Sequence, residues 1–123
     1  MQEVWKDIKG YEGLYQVSNL GQVKRLSNNK YTREKMLKPR KGKSGYLQVI
    51  LSEKGNIKSK YVHQLVASAF IPNPNNYIEI NHKDENKENN NFENLEWCTH
   101  KYNCNFGTRN IRRVATMGGK TWQ

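Results

Sequence analysis

Short runs of alternating apolar and polar residues fill the first half of the chain, and glycine cuts them apart. Glu3 to Trp5, Tyr15 to Ser18 and Gln22 to Leu26 are separated by Gly10, Gly13 and the Asn19-Leu20-Gly21 turn, a pattern that predicts brief antiparallel strands. The clearest pair is Tyr46 to Leu51 with Ile57 to Tyr61, joined by SEKGN, in which Gly55 can take the positive φ of a hairpin turn. Between these groups Lys38 to Ser44, KPRKGKS, is the densest basic run and is expected to be an exposed loop.

The period changes at Val62. Val62, Leu65, Val66, Ala69 and Phe70 recur at intervals of three and four, so VHQLVASAF predicts a short helix with one face on the sheet, ended by Pro72 and Pro74. A strand from Tyr77 to His82, a polar loop from Lys83 to Asn91 and a second strand from Asn94 to Cys98 come next. A helix then opens at Thr99, whose hydroxyl can cap its first turn. The fold class expected is α+β: a small antiparallel sheet with a short helix, followed by a strand-loop-strand-helix unit.

At 123 residues the chain is expected to be a single folding unit, in which 13 aromatic residues, part of a modest apolar fraction of 35%, supply large core area from few positions. Its formal net charge of +10 favours a polyanionic partner. That charge is uneven: 14 basic and five acidic residues lie between Met1 and Asn76, two basic and six acidic between Tyr77 and His100, and five basic with no acidic from Lys101 onward. An acidic, asparagine-rich island between basic arms suits a hard cation flanked by phosphate contacts, although the charge pattern taken alone favours a solvated turn from Asp84 to Glu88. No apolar run is long enough to span a bilayer and the amino terminus has no signal pattern, which makes a cytoplasmic location the default. Cys98 and Cys104 are too few for a disulfide framework and lack paired zinc spacing, so packed free thiols are expected.

Hydrolysis of a phosphodiester needs a base for water, a cation for the phosphate charge and groups that align the two. His82 ends the first strand of the island and titrates near working pH, so it is read as the general base. Asn94, opening the second strand, is placed to orient the imidazole, and Asn81 with Asn103 offers side-chain carbonyl oxygens to Mg²⁺ or Mn²⁺. His63 is read as a packing histidine, His100 faces no evident partner, Asn89 to Asn91 are read as turn residues, and Trp97 as a core anchor.

From Val62 through Phe106 the succession VHQLVASAF, NH, ENLEWCT and YNCN resembles the HNH homing endonucleases of the ββα-metal group, and EVWKDIKGYEGLYQVSNLGQVKRL with GYLQVIL is similar to the nuclease-associated modular domain that precedes such units. The resemblance divides the chain into residues 1–61 as a DNA-binding region, 62–106 as the HNH unit and 107–123 as a basic tail. It implies the same roles for His82, Asn94, Asn81 and Asn103, in a homing-type enzyme of phage or mobile-element origin that nicks double-stranded DNA as a monomer, leaving a 5′-phosphate. The family's well-understood sites carry aspartate where this chain has Asn81, which implies that the free protein holds its cation loosely. Lys24, Arg25, Arg40, Lys41, Lys43, Arg109, Arg112 and Arg113 are the candidate phosphate contacts. The competing reading is a DNA-binding module with a degenerate, inactive site, argued by Asn81.

Overall fold

The computed structural model describes residues 2–27 and 33–105, with only the backbone of Asn105; Arg109, Arg112, Arg113 and the basic tail fall outside the described residues. Four antiparallel strands open the chain, β1 (Trp5–Asp7), β2 (Tyr15–Ser18), β3 (Val23–Arg25) and β4 (Lys35–Met36), paired in that order. A second sheet holds β5 (Arg40–Lys41), β6 (Leu47–Glu53) and β7 (Asn56–Tyr61). Thus the predicted single sheet is two. The KPRKGKS segment is not wholly a loop either, because Arg40 and Lys41 pair with Gln48 and Leu47. Two-residue strands carry no alternation for a sequence pattern to reveal.

The β6–β7 hairpin runs further than its apolar run implied, to a two-residue turn at Lys54 (φ 51°) and Gly55 (φ 83°). Positive φ at both positions matches the right-handed twist of the strands. Along β6, Val49 and Leu51 point inward and Ile50 outward. β7 then passes directly into α1 (Val62–Phe70), whose buried stripe is Val62, His63, Val66 and Ala67. This stripe is rotated from the predicted face toward His63, because the helix packs on β2, β6, β7 and the later hairpin together. Lys6 Nζ meets the free Ala69 carbonyl at the helix end, 3.2 Å away.

After α1 come β8 (Glu79–His82), a 3₁₀ turn (Phe92–Asn94), β9 (Leu95–Cys98) and α2 (His100–Asn105). Thr99 caps α2 as expected, its hydroxyl accepting from Tyr102 N at 3.1 Å. One core joins all of this: Tyr11, Tyr15, Val17 and Val23 from the first sheet, Val49 and Leu51 from the second, Val62 and Val66 from α1, and Ile80 and Leu95 from the β8–β9 hairpin. Tyr15 also links the two sheets, its hydroxyl accepting from Ser52 N at 3.1 Å. No helix among the described residues is long and apolar enough to cross a membrane.

Candidate metal centre and active site

The β8–β9 ladder sets Glu79 opposite Cys98, Ile80 opposite Trp97, Asn81 opposite Glu96 and His82 opposite Leu95. Side chains alternate across such a ribbon. Ile80, His82, Leu95 and Trp97 therefore face α1 and the core, while Glu79, Asn81, Glu96 and Cys98 face α2. Neighbours in sequence, Asn81 and His82 are split between the two faces.

On the α2 face, the Asn81 side chain is fully buried and its Nδ2 donates to Glu96 Oε2 at 2.8 Å. With no ion between them, the opposite amide assignment would press two oxygens together, so Nδ2 faces the carboxylate here. This leaves Asn81 Oδ1 buried with no hydrogen-bond partner. Asn103 Nδ2 donates to Glu79 Oε1 at 2.9 Å, His100 Nδ1 pairs with Glu79 Oε2, and the Tyr102 hydroxyl donates to Glu96 Oε2 at 3.2 Å. Two amides and two carboxylates thus share one face. Oxygen donors of this kind fit a hard divalent cation, and an unbonded buried carbonyl oxygen is what such an ion satisfies. No group of three or more His, Cys, Asp or Glu side chains forms a metal cluster among the described residues, so any site here depends on the amides.

The other face holds the imidazole. The His82 ring is 2% exposed, stacks on Tyr46 with centroids 5.8 Å apart, meets His63 edge-on at 5.2 Å and contacts Asn90 Oδ1 through Nε2 at 2.8 Å. A carbonyl oxygen only accepts, so this bond puts the ring proton on Nε2 and leaves Nδ1 as the basic nitrogen. His63 is buried as expected, but its Nδ1 lacks a hydrogen bond. Burial first and the adjacent His82 second push its pKa down from 6.5 to about 4.

Asn94 does not touch the imidazole. Its Oδ1 accepts from Asp84 N and its Nδ2 donates to Asp84 Oδ1 and to the Asn89 carbonyl, each at 2.9 Å. It ties together the loop that carries Asn90, and Asn90 holds the ring. Asn89, Asn86 and Asn94 all donate to Asp84, and these bonds, led by the one from Asn89, hold its carboxyl below the usual carboxylate range. Only Asn90, of the three consecutive asparagines, reaches the histidine; Asn89 braces Asp84 and Asn91 caps the 3₁₀ turn through Glu93 N. His100, expected to lack a partner, has one in Glu79. Neither Cys98 nor Cys104 forms a disulfide among the described residues, and Cys104 Sγ lies 3.3 Å from His100 Nε2. Trp97 is half-buried against the core, and its Nε1 donates to Ile71 O at 3.1 Å.

The basic candidates sort by exposure. Arg40 and Lys43 are exposed. Lys41 is exposed and pairs with Glu88 at 3.0 Å. Lys24 and Arg25 are not free surface residues: the Lys24 ammonium lies 4.3 Å over the Trp5 ring and 3.7 Å from Glu34, while Arg25 binds the Arg33 carbonyl.

Residues 3–52 match the NUMOD4 motif and residues 60–104 the HNH endonuclease family. The DNA endonuclease I-HmuI of Bacillus phage SP01 is 42% identical over 114 residues, which cover 89% of this chain and 63% of that protein. The H-N-H endonuclease F-TflII of Escherichia phage T5 is 33% identical, over 85% of this chain and 52% of its own length. The chain therefore spans less than two thirds of these relatives. A solved structure of the HNH homing endonuclease I-HmuI, described for DNA binding and cleavage, superposes with a TM-score of 0.70 at 38% identity, covering 97% of this chain and 62% of that one. A strand-loop-strand-helix unit with Asn81 and His82 on its ladder, set behind a NUMOD4 segment, gives this chain a NUMOD4 motif followed by an HNH endonuclease domain and makes it a homologue of I-HmuI.

Proposed function

We propose that this protein is a divalent-cation-dependent DNA endonuclease of the phage or mobile-element type, acting in the cytoplasm as a monomer that nicks one strand of a duplex. The observation that carries the reading is the buried, unbonded Oδ1 of Asn81 on the face shared with Asn103. Asn81 and Asn103 would hold Mg²⁺ or Mn²⁺, and the ion would neutralise charge on the phosphate and the departing oxygen. His82 acts as the base through Nδ1 while Nε2 stays on Asn90, and because the ring is buried this edge must open to meet an incoming water. Asn94 acts through the loop rather than on the ring. Arg40 and Lys43 offer exposed charge to the DNA backbone, and residues 1–61 form the region that binds it beside the HNH unit.

The inward-facing imidazole also favours a second reading, a DNA-binding module that does not cleave. Supercoiled plasmid incubated with the protein and Mg²⁺ or Mn²⁺, with and without EDTA, separates the two. Metal-dependent conversion to open circles, with ends that ligate and so carry a 5′-phosphate and a 3′-hydroxyl, supports the nuclease. Band shifts without open circles under any cation leave the binding module.

A further inference from the structure

We infer that Glu96 is the anionic ligand of the cation site, supplying the carboxylate charge that the amide of Asn81 lacks. The inference rests on the proposed nuclease function only in placing a divalent cation at the α2 face of the β8–β9 hairpin. Neutral amide oxygens alone offset poorly the cost of taking a doubly charged ion out of water, so a site built on Asn81 and Asn103 needs a carboxylate nearby. Glu96 is the direct cross-strand partner of Asn81 and touches its amide at 2.8 Å. It is met there by two neutral donors, Asn81 Nδ2 and the Tyr102 hydroxyl, and forms no ion pair among the described residues. The negative charge of Glu96 is thus anchored but not neutralised. Beside it the Asn81 Oδ1, fully buried and without a partner, independently marks a missing electropositive neighbour. Glu79 differs, since it pairs with His100 and holds Asn103, fastening α2 to the hairpin.

The test is Mn²⁺ titration of the DNA-free protein by electron paramagnetic resonance, which needs no cleavage. Glu96→Gln is expected to weaken Mn²⁺ binding about tenfold or more. Glu93→Gln, the same charge change at an exposed position off the ladder, is expected to stay within about twofold. Asn81→Asp with Glu96→Gln returns a carboxylate to the adjacent position and is expected to recover most of the affinity. In the unmodified protein, substoichiometric Mn²⁺ should broaden the carboxyl carbon resonance of Glu96 well before that of Glu93, a readout independent of whether a variant folds. Absence of Mn²⁺ binding, equal or tighter binding by Glu96→Gln, an equal loss in Glu93→Gln, or an unbroadened Glu96 signal overturns the inference. A chain that nicks plasmid but whose Glu96→Gln variant binds Mn²⁺ normally sinks this inference alone; one that binds Mn²⁺ through Glu96 but never nicks sinks the nuclease alone.

Discussion

At the scale of single residues, the hydrogen bond between His82 and Asn90 has the largest consequence for chemistry. Because the ring is buried among Tyr46, His63 and Asn90, His82→Ala opens a cavity as well as removing a base, at a cost of roughly 2–4 kcal/mol in stability. His82→Gln retains more volume. Both variants are expected to lose plasmid nicking while DNA affinity in gel shifts stays nearly unchanged; normal cutting by His82→Gln would remove the base assignment. His63 makes a separate prediction about pH. Its folded-state pKa of about 4 lies below the ordinary 6.5, so the unfolded chain takes up a proton first as pH falls. Stability from this group is complete above about pH 6.5, declines between 6.5 and 4, and loses of order 3 kcal/mol across that window. Urea melts at pH 7 and 4.5 should show the drop, and His63→Gln should flatten it. That Asn81 and His82 end a strand beside a polar loop was legible in the sequence. Which asparagine meets the ring was not, because Asn89, Asn90 and Asn91 differ only in where the folded loop points them.

Among the elements, the loop from Lys83 to Asn91 depends on parts of the chain far from it in sequence. Lys87 Nζ donates to the Ser44 carbonyl at 2.8 Å and lies 4.8 Å from the Tyr46 ring centroid, and Phe92 N donates to Asn19 O at 2.8 Å. Gly21 packs against Asn90. With φ of +92° it holds the turn between β2 and β3, and a Cβ there would come within 2.9 Å of the Asn90 carbonyl oxygen. Gly21→Ala is therefore expected to cost about 1–3 kcal/mol from backbone strain and the clash, and to shift Asn90 off the imidazole. Thermal melting checks the first effect, and loss of a protected His82 Nε2 proton in NMR checks the second. Alternation and glycine placement announced β2, β3, the β6–β7 hairpin and β8–β9 because those stretches carry enough residues to show a period. β4 and β5 did not appear, being two residues each and defined by the ladder they join rather than by their own composition.

Across the whole molecule, charge and burial decide which basic residues can meet a polyanion. Removing one phosphate-neutralising side chain makes the slope of log affinity against log salt shallower by about one. Arg40→Gln and Lys43→Gln are each expected to produce that change in DNA-binding titrations across a salt series, since both side chains are exposed. Lys24→Gln should leave the slope nearly unaltered and reduce stability instead, because its ammonium is engaged by the Trp5 ring and Glu34. An unchanged slope in Arg40→Gln and Lys43→Gln would put the DNA elsewhere on the surface.

The amino-acid order alone determined the succession of strands and helices, the strong positive charge, and the residue types available for phosphodiester chemistry, since these follow from local periodicity and composition. Tertiary structure decided what those residues face. Adjacent side chains on a strand point to opposite sides, so only the packing of α1 on one side of the β8–β9 hairpin and α2 on the other could send His82 inward to Asn90 and Asn81 to Glu96.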